Sequence, residues 1–360
     1  TPLYSSAASD VYKRQGQYTF NETGPSGRAV AVGRVRGISI AEGERVQAAL
    51  DAADLVFTAV GEPNLSKVAP SLAQAAARRT PWNPLRILCC ENGLEIARRL
   101  TRHMEEALGA GAGHMVVGDT VMGRMCMIVS PPERGLAPVG PGFDWAVAAE
   151  PFFGIPVPRR TMEGLEKPGA AFQVMDEAEF AAQEDVKMMA HNGLHAFLAF
   201  LGEMRGRKYF YELTGDRQIM EMASRMMLEE VGEALLRKHG PALDRNFYLN
   251  YAPTILRRIT CPGLRDTLAR GSRGAMRKLE PWERLVGGVR AIVSQGISPV
   301  LYSTSLAAAI VVARARGETN LAFQEVLTQH CGLRQDDEAD LIALAEQRKR
   351  WLEAEFATGL

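Results

Sequence analysis

Short apolar runs that alternate with helix-periodic stretches constrain this chain more than any other feature. Asp54-Leu-Val-Phe-Thr-Ala-Val-Gly61 is largely apolar and ends in glycine, the pattern of a strand buried on both faces. Residues 65–79 follow, with Leu65, Val68, Leu72 and Ala76 on one helical face. Leu85-Arg-Ile-Leu-Cys-Cys90 repeats the strand pattern and runs into Glu91-Asn92-Gly93, and 95–108 is helix-periodic again. Further strand-like stretches lie at 115–117, 124–129 and 145–153. Strands alternating with helices specify a parallel, doubly wound sheet.

The pattern changes near Asp185. From there the spacing predicts helices over 186–201, 216–239 and 341–356, with shorter ones over 252–260, 262–269 and 282–295. Gly240-Pro241 and Pro262-Gly263 punctuate them. The expected organisation is α/β plus all-α: an α/β domain over 16–184 and a helical domain over 185–360. A cleft between them is the expected site. Residues 1–15 (TPLYSSAASDVYKRQ) carry neither period and are expected to be a non-native, adapter-like segment.

Composition narrows the function classes. The chain carries 42 Lys+Arg against 42 Asp+Glu, so no overall field draws it to nucleic acid or to an anionic membrane. Any anion site must be a local cluster, and the expected partner is a small molecule. No apolar run approaches the roughly 20 residues of a membrane span, and no secretory-type apolar segment opens the sequence. Cys89, Cys90, Cys126, Cys261 and Cys331 form no CxxC pair and no zinc-type spacing, so no metal is expected. Reduced core thiols fit a cytoplasmic location.

Chemistry concentrates in Lys187-Met-Met-Ala-His191-Asn192-Gly-Leu-His195. On an α-helix Lys187, His191 and His195 stack at i, i+4 and i+8, and Asn192 lies about 140° round from Lys187. A lysine in a dry cleft is disfavoured as the cation and can take a proton from an alcohol. An asparagine amide can donate to the alkoxide that develops. Composition alone favours a helix with a solvated lysine and two packed histidines. A second cluster, Arg270-Gly-Ser-Arg273-Gly-Ala-Met-Arg277-Lys278, places four cations in one short stretch, suited to a phosphate or carboxylate. Its bland reading is a solvated basic loop.

Lys-x4-Asn-x2-His, here Lys187, Asn192 and His195, resembles the signature of the polyol-specific long-chain (mannitol) dehydrogenase family, in the form found in its mannitol-1-phosphate enzymes. Residues 54–91, the Glu91-Asn92 pair and the Arg-x2-Arg-x3-Arg-Lys-Leu stretch extend the likeness over about 18–356. The resemblance implies an incomplete Rossmann-type domain followed by a helical one, and hydride transfer between NAD and a sugar alcohol or its phosphate. It implies Lys187 as general base, Asn192 and Asn92 as oxyanion donors, and His195 orienting the substrate hydroxyls. Arg270 and Lys278, with Arg273 and Arg277, would bind the substrate. Thr58, Ala59, Gly61 and Asn92 would meet the cofactor. His191 falls on a variable position and has no role.

Four departures stand against the family pattern. A Gly-x-Gly-x-x-Gly turn opening a helix after a strand has no counterpart, so weak NAD binding is expected. Gly123-Arg124 replaces an Asp-Arg pair, Arg258-Ile-Thr-Cys261-Pro262 lacks the motif's asparagine, and Arg273-Gly-Ala-Met replaces a proline-bearing stretch. These bear most on substrate identity. A hexuronate reductase of the fructuronate or tagaturonate type is the alternative within the family. A catalytically silent sugar-phosphate-binding or interaction protein is the alternative outside it.

Overall fold

The computed structural model describes residues 16–24, 27–93, 95–109, 111, 113–130, 135–151, 154–165 and 169–356. The segment 1–15 lies outside the described residues. The chain divides into two compact units after Phe180, where the sequence pattern placed a boundary after 184.

The first unit is built on the alternation read from the sequence. Strands β1 (Gln17–Glu22) and β2 (Ala29–Gly33) form an antiparallel hairpin. Next come β3 (Val56–Thr58), β4 (Leu85–Cys89) and β5 (Met115–Asp119), which pair in parallel in the order β3-β4-β5. Every residue of β4 is buried, as a central strand covered on both faces requires. Helices Leu65–Ala77 and Ile96–Leu108 pack Leu65, Leu72, Leu100 and Met104 against Leu85 and Ile87. Each such side chain contributes about 1.5–3 kcal/mol by leaving water. On the other face, Leu88 packs with Val157 and Met162.

Strands β6 (Cys126–Val129) and β7 (Ala146–Ala149) pair antiparallel, and β7 joins β1 in parallel, giving a four-stranded sheet β2-β1-β7-β6. A two-stranded parallel sheet of β8 (Ile155–Pro158) and β9 (Phe172–Met175) completes the strands.

The second unit is helical. Glu177–Asp185, Val186–Asn192 and Gly193–Met204 follow without a break, and so do Arg217–Arg225, Met226–Gly232 and Glu233–His239. In each run the middle segment is a π-helix, which pairs i with i+5. Helix Arg245–Ile259 starts well before the expected 252, because the Asp244 carboxylate accepts from the Asn246 amide and caps it. The helix expected over 262–269 does not form. Arg265 has φ 49°, outside the right-handed helical region, and only Leu268–Ser272 is helical. Helix Val300–Ala315, which the spacing did not indicate, is buried along most of its length and packs on Gly193–Met204 and Ala339–Glu355.

Among the described residues, no helix is long and apolar enough to cross a membrane, and no group of His, Cys, Asp and Glu could hold a metal ion. All five cysteines are free.

Candidate active site

Lys187 and Asn192 lie within the π-helical segment Val186–Asn192, so the α-helical spacing expected for them is corrected. The Gly193 amide donates to the Met188 carbonyl five residues back. Lys187 and Asn192 are themselves five apart. They stand one hydrogen-bonded turn from each other on one face, instead of the roughly 140° that an α-helix imposes. Lys187 is half-buried, while His191 and Asn192 are buried. Burial, then the Lys187 charge, pushes the His191 pKa well below the usual histidine range. His191 is therefore a neutral packed residue.

His195, one turn further on, is tied to a carboxylate that sequence reading missed. Its Nε2 lies 3.2 Å from Asp266 Oδ2, and Arg270 Nε donates to Asp266 Oδ1 at 2.6 Å. A second guanidinium nitrogen of Arg270 donates to Oδ2. Burial acts to raise the Asp266 pKa, but the bonds from Arg270 and His195 outweigh it and hold the carboxyl below its ordinary value. Burial lowers the His195 pKa despite Asp266. An ionised carboxylate only accepts, so neutral His195 carries its proton on Nε2, and Nδ1 is left to accept from a hydroxyl. Gly271 lets helix Leu268–Ser272 approach. A Cβ there would lie 2.9 Å from His195 Cε1 and 2.6 Å from Phe210 Cζ. The one available signal for Asp266 was its i, i+4 spacing from Arg270.

The basic cluster separates into buried and exposed members. Lys278 is 6% exposed, and its ammonium bonds the Arg273 carbonyl. Burial, with Arg284 and Arg277 adding repulsion, lowers its pKa from 10.5 to about 8. Arg284, also buried, bonds Glu283 at 3.1 Å, and Arg277 reaches the same carboxylate at 2.6 Å. The Arg273 side chain is exposed and enters through its main chain only. The Arg284 charge depresses His191, His195 and Lys278 alike, so these groups share one electrostatic neighbourhood. The second unit thus gathers Lys187, Asn192 and His195 on one helix beside Arg270, Lys278 and the unanticipated Asp266 and Arg284.

In the first unit, the residues expected to meet a cofactor lie at the C-terminal ends of adjacent parallel strands, where open α/β sheets bind ligands. The buried Glu91 carboxylate accepts from Thr58 Oγ1 at 2.6 Å and from the Val60 amide at 3.0 Å. Thr58 is therefore engaged with Glu91. Ala59, Gly61 and Asn92 are exposed, and Gly61 adopts φ 82° with open space where a Cβ would sit. This exposed, glycine-bearing strand end fits the approach of a dinucleotide.

Residues 3–121 match the mannitol dehydrogenase Rossmann domain, and residues 180–344 match the mannitol dehydrogenase C-terminal domain. A mannitol-1-phosphate 5-dehydrogenase of Pseudarthrobacter chlorophenolicus is 31% identical over 301 residues, 81% of this chain and 73% of that protein. The chain belongs to the mannitol dehydrogenase family. By family it is an oxidoreductase, an NAD-dependent polyol dehydrogenase. A mannitol-1-phosphate 5-dehydrogenase of Exiguobacterium sibiricum is 25% identical over 347 residues, 94% of this chain and 87% of that one. The fold resembles the Pseudomonas fluorescens mannitol 2-dehydrogenase ternary complex with NAD and D-mannitol, at TM-score 0.69, 15% identity and coverage of 98% and 84%. A substrate-free D-sorbitol dehydrogenase gives TM-score 0.66 at 16% identity, covering 98% of this chain and 86% of its own.

Proposed function

We infer that this chain oxidises a sugar alcohol with an anionic end, in the first place mannitol 1-phosphate to fructose 6-phosphate, with Lys187 as general base. The observation that carries the reading is the buried Lys278 ammonium, whose hydrogen bond goes to a neutral carbonyl and which sits beside the Arg284 and Arg277 charges. The mannitol-1-phosphate 5-dehydrogenases among its relatives support the same substrate.

Lys187 in its neutral form takes the hydroxyl proton from the carbon to be oxidised. The Asn192 amide, one π turn away, donates to the oxyanion as charge develops there. Asn92, at the end of β4, is the second donor. His195, fixed by Asp266, accepts from a neighbouring hydroxyl at Nδ1 and sets the polyol's register. Lys278 holds the phosphate, with Arg270 beside it. NAD, when bound, supplies the hydride acceptor; Thr58, Ala59, Gly61 and Asn92 are the residues that would hold it.

The test is steady-state oxidation at saturating NAD of mannitol 1-phosphate and free mannitol, with hexuronates assayed in the reductive direction. A charge-assisted bond contributes about 1.5–3 kcal/mol, so the phosphate should raise kcat/KM by roughly 10–100-fold over free mannitol. Equal values for the two polyols, or preferred turnover of a hexuronate, would overturn the assignment.

A further inference from the structure

We propose that Tyr302 is a positioning residue that holds the π register of the helix bearing Lys187 and Asn192. The proposal rests on those two residues acting together, as proposed above. In an α-helix the Gly193 amide would bond the Met189 carbonyl; here it bonds Met188. The Met189 carbonyl lies instead 3.5 Å from the Tyr302 hydroxyl, which donates to the Arg284 carbonyl at 2.7 Å. Tyr302 is fully buried. A Cβ at Gly193 or at Gly288 would overlap its hydroxyl, so two glycines form the slot that admits it. The hydroxyl therefore sits where the π turn joins the following α-helix, tied to the segment that carries Arg284.

The other end of Tyr302 is fixed as firmly. The buried Glu230 carboxylate accepts from the Leu301 amide at 2.7 Å and the Tyr302 amide at 2.9 Å, capping the first turn of Val300–Ala315. Glu230 belongs to the second π segment, Met226–Gly232, which packs against the first. That second segment repeats the device. The Tyr248 hydroxyl donates to the Met227 carbonyl at 2.8 Å, and a Cβ at Gly232 would lie 2.6 Å from Tyr248 Cε1. Twice, then, a buried tyrosine meets a carbonyl within the wider turn, and a glycine at its end makes room. The first copy carries the catalytic pair, so loss of the Tyr302 hydroxyl lets the turn relax towards α. Asn192 would then swing off the Lys187 face.

The experiment compares Tyr302→Phe, Gly193→Ala, Tyr248→Phe and Lys187→Ala with the wild type. Hydrogen exchange by mass spectrometry needs no turnover. Tyr302→Phe should speed exchange in the peptide covering 186–194 by at least ~10-fold, and Tyr248→Phe should not. In turnover, Tyr302→Phe and Gly193→Ala should lower kcat at least ~10-fold with KM for the polyol phosphate within about twofold, because Lys278 and Arg270 are untouched. Tyr248→Phe should lower Tm and leave kcat within about twofold. Unchanged exchange over 186–194 in Tyr302→Phe overturns the proposal, as does a kcat that stays at the wild-type value. If Lys187→Ala still collapses kcat in that case, the base assignment stands and only the positioning role falls. If Lys187→Ala turns over like the wild type, the base assignment itself fails.

Discussion

Lys278→Met should make this protein more stable while disabling its substrate site. In the folded chain the lysine pKa falls from 10.5 to about 8 because burial, Arg284 and Arg277 all disfavour the cation. At 1.36 kcal/mol per unit, that depression is a destabilisation of about 3 kcal/mol at neutral pH. Methionine keeps most of the volume and removes the charge, at the loss of one bond to the Arg273 carbonyl, about 1 kcal/mol. The net gain at pH 7 is about 2 kcal/mol. The sign with pH follows from the direction of the shift. Below about 8, folded and unfolded chains both hold the proton and the full penalty is present. Between about 8 and 10.5 the folded chain releases its proton first, so wild-type stability recovers and its gap from the variant closes. Urea unfolding followed by far-UV circular dichroism at pH 7 and pH 10 measures both differences. Mannitol 1-phosphate binding should weaken by roughly 10–100-fold in the same variant. A Lys278→Met variant no more stable than the wild type at pH 7, or a gap that persists to pH 10, would refute the account of Lys278 as a strained cation.

Lys187→Ala should lower kcat by at least ~10²-fold with NAD affinity unchanged, measured by steady-state kinetics and calorimetry; Lys187→Met, which fills the space, should be equally inactive. Asp266→Asn should lower kcat by at least ~10-fold, because an amide no longer fixes the His195 tautomer, and nuclear magnetic resonance of the ring nitrogens should show the proton redistributed. Gly271→Ala should destabilise the fold by about 1–3 kcal/mol, read from denaturant midpoints, since the new methyl strikes Phe210, Ala199 and His195. NAD titrated into the 360-residue chain should bind with Kd above about 10 μM, because no Gly-x-Gly-x-x-Gly turn opens a helix after a strand among the described residues. Micromolar or tighter binding would mean another segment receives the pyrophosphate.

The elements legible in the sequence were those whose burial is one-sided or complete. Leu85–Cys89 is buried on both faces and reads as an apolar run broken only by Arg86, and Leu65–Ala77 shows its core face at helical spacing. Val300–Ala315 was silent because Ser303, Thr304 and Ser305 are buried beside Leu306 and Ala307, leaving no polar side to mark a period. The helix expected over 262–269 failed on backbone conformation at Arg265, which no apolar spacing reports. The chemistry-bearing types at Lys187, Asn192 and His195 were readable, but their register was not. A π turn leaves no trace in apolar spacing, and Tyr302, which meets this one, lies more than a hundred residues away in sequence. Asp266 escaped for the same reason, since it meets His195 only through the fold.

The Glu91 bridge divides labour within the strand-end loop of the first unit. The loop's shape is held from outside by a carboxylate on the neighbouring strand end, gripping Thr58 and the Val60 main chain. Gly61 supplies the positive φ, 82°, that the loop needs. The side chains at Ala59 and Val60 take no part in that hold and face solvent. The side chains at 59 and 60 can therefore vary without remaking the backbone, whereas changes at Glu91 or Gly61 alter the scaffold itself.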